Sequence, residues 1–70
     1  MTNTKLLEKA IADSGYKKSY IAKRIGISAY ALALKIRNEN EFKVSEVRKL
    51  CDLLKIESAE EVDRIFFAGE

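Results

Sequence analysis

Apolar positions recur along the chain at helical spacing in five stretches. Leu7, Ala10, Ile11 and Ser14 share one face of a first helix over about residues 4–14, with Leu6 beside them. Ile21, Ala22 and Ile25 predict a short second helix over about 18–25. Leu32 and Ile36, one turn apart, predict a third, running from a Ser28 cap to about residue 37. Val47, Leu50, Cys51 and Leu54 repeat at i, i+3, i+4 and i+7 in a fourth, for which Ser45 is the expected cap. Val62, Ile65 and Phe66 mark the inner face of a fifth, opened by the capping box Ser58-Ala59-Glu60-Glu61. No segment sustains strand alternation and Pro is absent, so the fold class is all-α. The expected architecture is a five-helix bundle forming one domain over residues 1–68, with 69–70 as a frayed tail.

Small and polar residues punctuate this pattern. Thr2 to Thr4 offer a cap for the first helix, and Gly15 is a natural left-handed stop. Tyr16 is expected to turn into the core. Gly26 suits a tight turn that needs positive φ, after which Ile27 returns an apolar side chain inward. Asn38 is the expected C-terminal stop of the third helix, and residues 38–44 form a polar loop with Phe42 and Val44 as its apolar plugs.

Composition narrows what such a bundle can do. Seventy residues, 47% hydrophobic and 34% charged, describe one soluble globular domain with a small core and no large enzyme cleft. No apolar run approaches the roughly 20 residues needed to cross a bilayer. Met1-Thr2-Asn3-Thr4-Lys5 does not lead into a signal-peptide core, so the expected location is the cytoplasm. His is absent and Cys occurs once, which removes His-based acid–base catalysis, His-ligated zinc, CxxC redox chemistry and an intrachain disulfide. The expectation is a non-enzyme with no cofactor, no metal and no small-molecule substrate. Cys51, on the inner stripe of its helix, reads as a small buried hydrophobe.

Charge is unevenly distributed. Residues 1–15 are neutral overall. Residues 16–49 hold nine bases (Lys17, Lys18, Lys23, Arg24, Lys35, Arg37, Lys43, Arg48, Lys49) and three acids (Glu39, Glu41, Glu46), a net of +6. Residues 50–70 hold Lys55 and Arg64 against Asp52, Glu57, Glu60, Glu61, Asp63 and Glu70, a net of −4. A basic middle with an acidic end fits a polyanion-binding face whose far end is held away from the polyanion; ordinary helix-surface charge fits it too.

The most informative stretch is Ile21-Ala22-x-x-Ile25-Gly26-Ile27-Ser28-x-x-x-Leu32-x-x-x-Ile36. Two helices joined by three or four residues nearly touch where they cross, which calls for a small residue, Ala22. Gly26 reverses the chain, and Leu32 and Ile36 seat the second helix on the first. This spacing resembles the helix-turn-helix of the Cro and phage-repressor (Xre-like) DNA-binding proteins, and the five-helix layout is similar to that family over nearly the whole chain. Leu32-x-Leu34-Lys35-Ile36-x-Asn38, then Phe42-Lys43 and the late Phe66-Phe67, are further similar to short helix-turn-helix proteins encoded by phages and prophages of Gram-positive bacteria. The Ala, Gly and aliphatic positions are packing requirements, so they speak for the fold and not by themselves for DNA.

The resemblance implies double-stranded DNA as partner, transcriptional regulation of repressor type, and a homodimer on a palindromic site. It places the third helix in the major groove and the start of the second near the backbone. By position, Lys17, Lys18, Ser19, Arg37, Asn38 and Lys43 are the expected backbone contacts, with Lys23 and Arg24 weaker candidates. Two lysines at a helix N-terminus oppose the helix dipole, and a phosphate there would reverse that cost. Tyr20 fits either a phosphate contact or a place flat on the core.

Ala29, Tyr30, Ala33 and Leu34 are the expected base-reading positions, and here the chain departs from the family, which usually carries Gln, Asn, Ser, Arg or Lys. Opposite Leu32 and Ile36 lies the stripe Tyr30, Leu34 and Arg37, flanked by Ala29, Ala31 and Ala33. Three readings remain open: alanines and Leu34 against thymine methyls with one polar contact from Tyr30; binding mainly through phosphates; or an apolar surface that docks another regulator. RNA is disfavoured because no aromatic platform stands out in the sequence. No residue identifies a dimer interface; Phe66 and Phe67 are candidates because both do not easily face one core, and Phe67 fits a partly buried lid residue as well.

Overall fold

A computed structural model describes residues 1–69; Glu70, expected in the frayed tail, lies outside them. Five helices follow in order: α1 (Thr4–Ser14), α2 (Lys18–Ile25), α3 (Ala29–Ile36), α4 (Val44–Leu54) and α5 (Ala59–Phe66). No strand occurs among the described residues. α2 packs on α3 and α4, and α1 lies against α3, α4 and α5. The core is built from the periodic positions: Leu7 and Ile11, Ile21, Ala22 and Ile25, Leu32 and Ile36, Val47, Leu50 and Cys51, Ile65 and Phe66. Leu7, Ile21, Leu32 and Leu50 are fully enclosed. Ile56 joins them from just beyond α4.

Each helix boundary has a local cause. Asn3 caps α1 by accepting the Leu6 N–H at 3.1 Å, Ser28 caps α3 through the Ala31 N–H at 3.0 Å, and Ser58 caps α5 through the Glu61 N–H at 3.1 Å. Gly15 and Gly26 end α1 and α2 at φ 76° and 85°, where only glycine is unstrained. α4 begins earlier than the sequence predicts. Its N-cap is Lys43, not Ser45, and the Glu46 carboxylate three residues on accepts the Lys43 N–H at 3.0 Å. That acidic closure replaces the serine cap and leaves Ser45 exposed in the first turn. Val44 also departs from expectation: it is 70% exposed, whereas Phe42 is half-buried and meets Phe66 edge-on at 5.7 Å.

Tyr16 is not a core residue. It is 40% exposed and lies against Tyr20, ring centroids 5.2 Å apart. The αL turn at Gly15 turns the ring along the outside of α2, where its hydroxyl keeps water and its face keeps an apolar neighbour. α4 ends on Lys55 in the left-handed region (φ 59°), a strained choice for a non-glycine that brings Ile56 back to the core.

Candidate nucleic-acid interface

α2 and α3 are joined by Gly26, Ile27 and Ser28 alone. Ala22 is buried at their junction, and its carbonyl accepts both the Gly26 and Ile27 N–H groups at 3.0 Å. With Leu32 and Ile36 seated inward, the opposite side of α3 carries Tyr30, Leu34 and Arg37. Tyr30 is 73% exposed; Leu34 and Ala33 are half-buried and Ala29 is exposed.

The far end of α3 is held on several sides. The chain leaves through Asn38 in the αL conformation (φ 65°). The Asn38 carboxamide accepts the Thr2 N–H at 2.8 Å and donates to the Thr2 carbonyl at 2.6 Å. The Thr4 hydroxyl donates to the Ile36 carbonyl at 2.6 Å, and the Asn3 N–H to the Ile65 carbonyl at 2.6 Å. The segment before α1 thereby ties the end of α3 to α5. Asn38, expected as a DNA-backbone contact, has both ends of its side chain committed to Thr2; it is an anchor for α3.

Lys35 is the feature the sequence does not announce. It is buried, and its ammonium meets the Glu46 carboxylate at 2.5 Å. The same oxygen of Glu46 takes the Lys43 N–H, so one carboxylate links α3, the loop after it and the start of α4. Burial alone would raise the Glu46 pKa; the Lys35 and Lys43 N–H hydrogen bonds and the two positive charges outweigh it and hold the carboxyl below its ordinary value. The helical angle of Lys35, between Leu32 and Ala31 and away from the Tyr30–Leu34 stripe, was the available signal.

Of the other eight cations of residues 16–49, Lys23 and Arg48 are exposed and the remaining six fall into three groups. Lys18 and Arg37 are exposed and paired, to Glu8 at 2.9 Å and to Glu39 at 2.9 Å. Lys17 and Lys43 are exposed, have no ion pair among the described residues, and stand at the N-caps of α2 and α4. Ser19 is exposed in the first turn of α2, whose N-cap lacks the side-chain hydrogen bond that α1, α3 and α5 have. Arg24 and Lys49 belong elsewhere: with Tyr16, Asp52, Leu53 and Lys55 they line an open groove of about 420 Å³ between α2 and α4. Arg24 donates to the Tyr20 hydroxyl at 2.7 Å and covers its ring at 5.7 Å. Tyr20 therefore neither lies on the core nor keeps its hydroxyl free of protein. The rings of Tyr16 and Tyr20 form an exposed aromatic pair that sequence reasoning missed; the i, i+4 spacing across the start of α2 carried the signal.

No group of three or more metal-ligating side chains occurs among the described residues, and no helix there is long and apolar enough to cross a membrane. Cys51 is buried, and burial together with Asp52 and Glu61 pushes its thiol pKa up, which keeps it protonated. Comparison with family models, with curated proteins and with solved structures finds no match.

Proposed function

We propose that the chain binds double-stranded DNA in a sequence-directed manner and regulates transcription as a repressor-type protein of phage or prophage character. The observation that carries this reading is the presentation of α3. It is short and braced by the Ser28 cap, the Thr4 and Asn38 bonds and the Lys35–Glu46 pair, yet it leaves Tyr30 exposed, with the half-buried Leu34 on the same outer stripe. A braced helix with an outward stripe suits insertion into a major groove, which admits one α-helix. Lys17, Lys18, Ser19, Arg37 and Lys43 are the proposed backbone contacts. The Lys18 and Arg37 ion pairs are solvent-exposed, so trading Glu8 or Glu39 for a phosphate costs little. Two chains on a palindrome, with their α3 helices about 34 Å apart, complete the arrangement that the resemblance implies.

Binding to a mixed-sequence duplex at increasing salt tests the reading. Four cations per chain on phosphates predict, for each chain bound, a slope of about −3.6 in log affinity against log salt, or about a hundredfold loss for a fourfold rise in salt. Replacing Lys17 and Lys43 together by Ala should flatten that slope by about 1.8 on every sequence alike. Failure to bind in low salt would favour a protein-docking role for the Tyr30–Leu34 stripe.

A further inference from the structure

We infer that α3 selects its site through the C5-methyl groups of thymine, with Leu34 as the principal contact and Ala29 and Ala33 beside it. The inference rests on the DNA-binding reading above and names the feature of the duplex that this surface recognises.

Reading purine edges or cytosine in the major groove takes side-chain donors or acceptors; thymine also offers an apolar group, its methyl. In and just after α3 the polar side chains other than Tyr30 are already engaged. The Ser28 hydroxyl accepts the Ala31 N–H at 3.0 Å. Lys35 points away from the outer stripe, onto Glu46. Arg37, whose solvent-exposed pair with Glu39 is readily exchanged, is assigned to a backbone phosphate in the reading above, and Asn38 is locked on Thr2. Between Ser28 and Arg37 the outward face holds one hydrogen-bonding side chain, Tyr30, and otherwise aliphatic carbon. A phenol hydroxyl donates and accepts, so by itself it discriminates weakly among base edges.

Leu34 also works against the wrong bases. Laid over a guanine O6 or a cytosine amino group, it would strip water from a polar atom and return no hydrogen bond. Over a thymine methyl it buries apolar surface on both sides. Preference for thymine thus arises from a gain at T and a penalty elsewhere. Lys35 is decisive here: facing outward it would have been a guanine reader, and the Glu46 pair keeps it from that role.

Selection from a pool of random-sequence duplexes, followed by resynthesis of the recovered site with uracil in place of thymine, tests this. The expected result is a thymine-containing site whose uracil form binds about fourfold more weakly for each methyl covered, the factor corresponding to about 0.8 kcal/mol per buried methyl. The salt slope should not change. Leu34→Asn should lower the thymine-to-uracil ratio by about fourfold, the share of the methyl that Leu34 covers, while leaving the salt slope in place. Equal affinity for the thymine and uracil forms, a recovered site without thymine, or no enrichment at all would overturn the inference and leave DNA binding standing. A chain that holds no duplex in low salt overturns the DNA-binding reading and this inference together.

Discussion

Glu46→Gln should lower the stability of the folded chain by about 3 kcal/mol, seen as a fall in melting temperature of about 15 °C. The substitution leaves the Lys35 ammonium enclosed without its counter-charge, and removing one partner of a buried pair is the expensive way to break it. The cost falls at the lower end of the usual range because about a tenth of the Lys35 side chain still reaches solvent. Replacing both partners, Lys35→Met with Glu46→Leu, should recover most of the loss, since the double variant strands no charge. It still gives up the acceptor for the Lys43 N–H, so α4 should fray at its first turn. A double variant as unstable as Glu46→Gln alone would contradict this account of the pair.

The pair also sets a pH dependence. The folded Glu46 pKa lies below its ordinary value of about 4.5, so its contribution is fully present above that value and is lost as pH falls through the lower folded one. Acid should therefore destabilise the native chain more than the Lys35→Met/Glu46→Leu variant, and melting temperatures followed downward from pH 5 read the difference.

Leu32→Ala should cost about 3–5 kcal/mol. Leu32 is fully enclosed and is one of two aliphatic side chains that seat α3 on the bundle, so truncation leaves a cavity at the base of the proposed recognition helix. A domain of this length has a total stability of only about 4–10 kcal/mol. The variant should therefore keep only a fraction of the native stability, seen by circular dichroism as a fall in melting temperature of about 12 °C or more (about 4 °C per kcal/mol at the least), with duplex affinity falling in proportion to whatever folded fraction is lost. Leu34→Ala, two positions on, should change stability by less than about 1 kcal/mol, because Leu34 lies outside the core cluster. Similar losses from the two would place α3 differently from the arrangement described.

The fold was largely legible because it depends on short-range patterns. Leu7 with Ile11, Leu32 with Ile36, and Val47 with Leu50 and Cys51 state their burial by spacing, and Gly15 and Gly26 state the turns. What stayed hidden depends on partners distant in the chain. Lys35 enters a charge count as surface cation because its partner is eleven residues away on another helix. Asn38 reads as a stop signal, which it is, but its hold on Thr2 spans 36 positions. The cap of α4 moved from Ser45 to Lys43 because Glu46 does two jobs at once, which no local rule weighs. Tyr16 turned outward because a neighbouring tyrosine, not the core, offered it a face.

The charge pattern was the least faithful guide. Of the nine bases in the middle segment, Lys35 is internal, Lys18 and Arg37 are paired, and Arg24 and Lys49 face the groove between α2 and α4. A net of +6 along the chain therefore does not translate into one continuous basic face. The proposed interface rests on fewer cations at defined places, which is why its predicted salt slope is modest.

Titrating isotope-labelled chain with a duplex in low salt, and following each backbone amide by NMR, tests the central claim most directly. Shifts concentrated at Ala29–Arg37, with Lys17–Ser19 and Lys43–Ser45 moving alongside, are the predicted result. Shifts gathered around Met1, Phe42 and Phe67, or around Tyr16, Arg24 and Leu53, with Ala29 to Leu34 unmoved, would contradict it.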